Sequence, residues 1–125
     1  MTTPYGATIH EHFRRPRNQR TLERPSVSRE GYNPLCGDRV RIELDIVDGA
    51  IRSAVFTANA CAICTASASL LTERVTGVTT AAALRVTEEE TLAALKVELP
   101  AGRLRCATLP LQTLREALAG PAPSA

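Results

Sequence analysis

The chain has no tryptophan, and only two tyrosines and two phenylalanines among its 125 residues. Its positive charge is nearly all arginine, with 14 Arg against the single lysine Lys96, and no interleaved aromatics accompany it. With no recognisable nucleic-acid motif either, a nucleic-acid surface is not expected, and a solvated face or a docking surface for an acidic protein fits better. Long apolar runs are missing as well, since the best candidates are broken by Thr, Ser, Arg or Glu before the roughly 18 residues that a membrane span needs. The start, MTTPYGATIHEHFRRPRN, is polar and basic and offers no apolar stretch for a signal peptide, so a cytoplasmic location is expected. Charged residues at 22% argue against disorder, and 44% apolar content supports one modest core, so residues 1–125 are read as one domain with a frayed tail at 120–125.

Cysteine is scarce too. Four residues, Cys36, Cys61, Cys64 and Cys106, allow three pairings into two disulfides. A reducing compartment disfavours disulfides, and a domain of this length needs no staples, which leaves free thiols or metal ligands.

Tyr5, Ile9 and Phe13 recur at four-residue spacing and predict a short helix over residues 4–14, ended by Pro16. From Arg14 to Arg29 the composition suits an extended, exposed connection, with a short edge strand around 26–28. Val40, Ile42, Leu44 and Ile46 alternate with Arg41, Glu43 and Asp45, the period of a half-buried strand. Asp48-Gly49 is a favoured type I′ turn pair, and Ile51 to Thr57 returns as the partner. A helix rich in small residues then ends at Gly77, and Thr87 with Glu90 forms a capping box for a helix carrying Leu92 and Leu95. The last helix is expected from about Ala107 to Ala119, which puts Pro110 in its first turn. Together these elements imply an α+β domain, a small antiparallel three-stranded sheet covered by helices.

Cys36, Cys61 and Cys106 all fall at the ends of elements, where helix dipoles favour thiolate. Asp38 follows Cys36 across a glycine, so its carboxylate can face the same side as the thiol. Three thiolates and one carboxylate suit zinc, or an iron–sulfur cluster held by three sulfurs and a weaker oxygen. Four reduced cysteines are also consistent with plain core packing. Cys61 and Cys64 form a C-x-x-C pair, readable as half a zinc knuckle or as a redox pair, but no βαβ pattern and no second C-x-x-C accompany it.

NPLCGDR, the hairpin with its Asp-Gly turn, CAICTASASLLTERVTG and LPAGRLRCATLPLQTL together resemble the U-type iron–sulfur cluster assembly proteins, namely IscU, SufU and the amino-terminal domain of NifU. HEHFRRPRNQRTLERP is similar to that family's entry helix and P-R-N turn, so the likeness runs from about residue 5 to 118. The resemblance implies an IscU/SufU-like fold. It places Cys36, Asp38, Cys61 and Cys106 on the metal or cluster ligands, with Cys64 as a buried small residue or a spare ligand. Cys36 and Cys106 are then candidate persulfide acceptors.

One departure falls beside the last cysteine. IscU proteins read L-P-P-V-K-L-H-C, whereas this chain has Leu99-Pro100-Ala101-Gly102-Arg103-Leu104-Arg105-Cys106. Arg105 cannot ligate a metal. A basic residue there resembles SufU, although the insertion that SufU proteins carry is absent. Loss of the inner Pro-Val weakens the case for recognition by an Hsp70-type chaperone. Arg105 is instead read as a residue that steers an anionic persulfide or a carboxylate of the partner. His10 and His12, two apart on a helix, do not face one another and are assigned surface or capping roles.

The resemblance implies a scaffold and sulfur acceptor rather than a turnover enzyme. It would take persulfide sulfur from a cysteine desulfurase and hold a transient [2Fe-2S] cluster or Zn2+, with apo iron–sulfur proteins as recipients. A SufU-type zinc-dependent sulfurtransferase that builds no cluster is the second reading, and a structural zinc interaction module is the third.

Overall fold

A computed structural model describes residues 5–119, and the tail at 120–125 lies outside them. Helix α1 spans Ala7–Arg14 and stops before Pro16. Ile9 and His12 are its buried residues, while Phe13 is 42% exposed, so the inward stripe runs through His12 rather than Phe13.

Strands β1 (Val27–Asn33), β2 (Asp38–Val47) and β3 (Ala50–Asn59) form an antiparallel sheet in the order β1-β2-β3. Val40, Ile42 and Leu44 are fully buried on one face, as their alternation predicts. Each such side chain contributes about 1.5–3 kcal/mol on leaving water. Asp48 and Gly49 have φ of 52° and 76°, the left-handed pair of a type I′ turn, and Val47 faces Ala50 across it. β1 is longer than the short edge strand expected, and its pairing with β2 runs to Asn33 opposite Asp38. A tight turn of residues 34–37, containing Cys36, joins that pair.

The arginine-rich connection is less exposed than its composition predicts. Phe56 N–H donates to Asn18 O at 2.9 Å and Arg20 N–H donates to Phe56 O at 3.0 Å, so residues 18–20 cover the free edge of β3.

Helix α2 (Ala62–Val75) lies at the centre, with ten of its residues buried. Its Ala, Ser and Thr side chains let α1, α5 and the sheet approach it together. Gly77, with φ of 89°, follows it as expected. The short helix α3 (Thr80–Leu84) has no counterpart in the sequence reading, whereas α4 (Glu88–Ala94) carries the predicted Thr87–Glu90 capping box.

A 3₁₀ turn, Ala101–Arg103, leads into α5 (Leu104–Leu118). This helix begins earlier than expected, so Pro110 is interior to it rather than in its first turn. Lacking an N–H, Pro110 leaves the Cys106 carbonyl, four residues back, without its helical partner. α5 packs against β1 at Gly31, where an added Cβ would collide with Thr113 Oγ1.

Candidate metal centre

A turn and the starts of three elements converge at one pole of the sheet. Cys36 sits in the β1–β2 turn, Asp38 opens β2, Cys61 is the N-cap of α2, and Cys106 lies in the first turn of α5. The turn is shaped by Asn33, whose carbonyl accepts from Gly37 N–H at 2.8 Å and whose Oδ1 accepts from Leu35 N–H at 3.2 Å. Gly37 has φ of 73°, a conformation that suits glycine and that swings Cys36 outward while Asp38 turns in.

One ligand atom from each of Cys36, Asp38 and Cys106 lies within 4.8 Å of the others. The Cys36 and Cys106 sulfurs are 3.4 Å apart. Cys61 is outside that triad but adjoins it, its sulfur 3.9 Å from Asp38 Oδ2. Accessibility is graded, from exposed Cys36 through half-buried Cys61 to fully buried Cys106. Asp38, only 2% exposed, accepts the Cys61 N–H through Oδ1 at 2.9 Å and so caps α2.

Burial pushes the pKa of the Cys106 thiol up, and its hydrogen bonds with Cys36 and Asp38 push the same way, because they favour the protonated donor. Cys64, facing inward from α2 and fully buried, has its pKa raised by burial first and then by Asp38, Cys61, Cys106 and Cys36. It is not part of the donor group.

Arg105 is exposed and lines a surface depression with Tyr32, Asn33, Pro34, Leu109 and Gln112. Arg103, in the 3₁₀ turn, is the arginine whose pKa responds to the site, Cys106 first. Its pKa is raised, chiefly by hydrogen bonding to Cys106. The signal for Arg103 was present in the sequence, as the basic residue three before the cysteine is part of the spacing that resembles the family. His12 lies in another contact altogether. Its Nδ1 is 2.7 Å from Ser69 Oγ, and that oxygen accepts from Arg17 N–H at 2.8 Å. The contact ties α1 to α2, and burial lowers the His12 pKa, which favours the neutral ring there.

A contacting thiol pair beside a buried carboxylate gathers negative charge when it ionises, which a divalent cation relieves, and sulfur-rich donors favour a soft or borderline metal. The donor set therefore fits a metal or cluster of that kind.

The NifU-like N terminal domain family model matches residues 4–120. The iron–sulfur cluster assembly scaffold protein IscU 1 of Archaeoglobus fulgidus is 32% identical over 114 residues, covering 91% of this chain and 74% of its own. The zinc-dependent sulfurtransferase SufU of Bacillus subtilis is 34% identical over 77 residues, 62% of this chain and 52% of its own. The crystal structure of FiSufU from Fervidobacterium islandicum AW-1 superposes with a TM-score of 0.79 at 24% identity, covering 91% of this chain and 96% of that one, a likeness of fold. With the three-stranded α+β architecture and the family match spanning nearly its whole length, the chain belongs to the NifU-like N terminal domain family of U-type iron–sulfur scaffolds.

Proposed function

We propose that this protein is an iron–sulfur cluster assembly scaffold that accepts persulfide sulfur from a cysteine desulfurase. Cys36, Asp38, Cys61 and Cys106 hold its cargo, a transient [2Fe-2S] cluster, or zinc. The observation that carries this reading is the meeting of the Cys36, Asp38 and Cys106 donors within 4.8 Å, drawn from three separate elements. Zinc, when bound, keeps its thiol ligands deprotonated.

Cys36 is the entry point, because it is the exposed thiol of the group. Its thiolate attacks the outer sulfur of the desulfurase persulfide. A new S–S bond forms on Cys36 as the old one breaks, and the desulfurase cysteine leaves as thiolate. Arg103 stands beside Cys106 with a fixed positive charge that attracts the incoming anionic sulfur. Asp38, an oxygen donor among sulfurs, is the ligand most readily exchanged when cargo leaves for an apo acceptor protein. A reducing compartment such as the cytoplasm suits four cysteines that are all free.

A SufU-type zinc-dependent sulfurtransferase is the second reading, favoured by Arg105 standing where a histidine would precede the last cysteine. Metal analysis followed by anaerobic incubation with iron, cysteine and a desulfurase separates the readings. A scaffold develops visible charge-transfer absorption, whereas a sulfurtransferase of the second kind raises desulfurase turnover without colour. A structural zinc module does neither, and that outcome would reject both.

A further inference from the structure

Sulfur in a persulfide is two electrons more oxidised than the sulfide that bridges irons in a cluster, so a scaffold that receives persulfide needs a reductant close by. Cys106 is placed to be one. Its sulfur touches that of Cys36 at 3.4 Å, and it approaches from the protein interior, being fully buried where Cys36 is exposed. An outer sulfur added to Cys36 from solvent therefore has its inner sulfur within reach of Cys106.

We propose that Cys106 is the resolving thiol for sulfur carried on Cys36: it attacks the inner sulfur of a Cys36 persulfide, closes a Cys36–Cys106 disulfide and releases the outer sulfur as sulfide. This rests on the reading of Cys36 as the sulfur acceptor. The step balances. The bond between inner and outer sulfur breaks, the bond between the two cysteines forms, the outer sulfur takes the electron pair, and the Cys106 proton leaves with it as hydrogen sulfide. A dithiol reductant then restores both thiols for the next cycle. The other cysteines are less well placed. Cys61 faces Asp38 outside the triad, and Cys64 is enclosed in the core.

The test loads the full-length, metal-free chain with sulfur anaerobically in two ways, by a desulfurase with cysteine and by inorganic polysulfide, with no reductant added. Intact mass, free sulfide and disulfide-mapped peptides are read. The expected product is a chain about 2 Da lighter than the starting protein, with Cys36 joined to Cys106 and about one sulfide released per chain. Cys106→Ser should instead accumulate a species about 32 Da heavier, with sulfide release at least about tenfold lower. The wild-type result stands even if that variant folds poorly. A persistent heavier wild-type species without sulfide, or a disulfide mapped to Cys61 and Cys64, overturns the proposal. Should polysulfide give the Cys36–Cys106 disulfide while the desulfurase transfers nothing, the resolving chemistry holds and sulfur acceptance from a desulfurase fails.

Discussion

Asp38 accepts the backbone N–H of Cys61 through one carboxylate oxygen at 2.9 Å and presents the other to the Cys61 sulfur at 3.9 Å. One side chain thus caps the central helix and joins the donor group, two roles that different substitutions can pull apart. Asp38→Asn keeps an oxygen to accept the Cys61 N–H but removes the charge, so zinc affinity should fall while the start of α2 stays held. Asp38→Ala removes both, and the metal-free variant should be about 1 kcal/mol less stable than Asp38→Asn. Urea unfolding of the two metal-free variants, beside competitive zinc titration, checks this. Equal stability of the two would show that the cap contributes nothing.

Cys64 sits one helical turn from Cys61 yet points into the core, where burial holds its thiol protonated. Cys64→Ala should leave metal stoichiometry at the wild-type value and cost roughly 1 kcal/mol for the sulfur removed from a packed interior. In the native metal-free protein, alkylation should modify Cys36 well before Cys64, with peptide mapping as the readout. A drop in bound metal on Cys64→Ala would restore the spare-ligand role.

Local patterns carried much of this fold in plain view. The alternation from Val40 to Ile46, the Asp48-Gly49 turn and the Thr87–Glu90 box each depend on residues a few positions apart, and all three appear where the chain predicts them. What stayed hidden depends on partners distant in sequence. His12 reads as a surface residue until Ser69 is brought against it across 57 positions. Pro110 reads as a helix starter because its cost inside a helix is about 3 kcal/mol, and only the packing of α5 on α2 and β1 offsets that. At the candidate site, the residue types and their element-end positions were legible, but the 3.4 Å sulfur contact and the separation of Cys61 from the triad came only with the tertiary arrangement.

The His12–Ser69 contact also gives the fold a pH dependence. Burial lowers the His12 pKa from its usual value, and the Arg17 charge lowers it further. A base with a depressed folded-state pKa is neutral when native, so at mildly acid pH the unfolded chain binds the additional proton. The stability that neutral His12 contributes is therefore complete above its unfolded pKa of about 6.5, and is lost as pH falls from there through the lower folded value. Urea midpoints measured from pH 8 down to about pH 5 should decline in the wild type. His12→Gln should flatten the part of that slope nearest pH 6.5. A slope identical in wild type and variant would mean that His12 takes up its proton equally in the folded and unfolded chain, so that burial against Ser69 does not favour the neutral ring.

Arg103 and Arg105 stand two residues apart, carry the same charge and bracket the turn into α5, so exchanging each for glutamine separates contact with the thiols from proximity in sequence. Cys106 raises the Arg103 pKa, whereas Arg105 lines the depression with Tyr32 and Gln112. Sulfur acceptance from a desulfurase should slow several-fold in Arg103→Gln and stay near wild type in Arg105→Gln, with zinc content unchanged in both. Because Arg103 is solvent-accessible, its influence on an incoming anionic sulfur is screened by salt. The rate difference between wild type and Arg103→Gln should therefore shrink as ionic strength rises from about 0.01 M to about 1 M, where the Debye length falls from about 30 Å to about 3 Å. A defect that ignores salt would assign Arg103 to the shape of the 3₁₀ turn. Equal slowing in both variants would instead identify a diffuse positive field around the whole Cys106 turn as what draws the sulfur in.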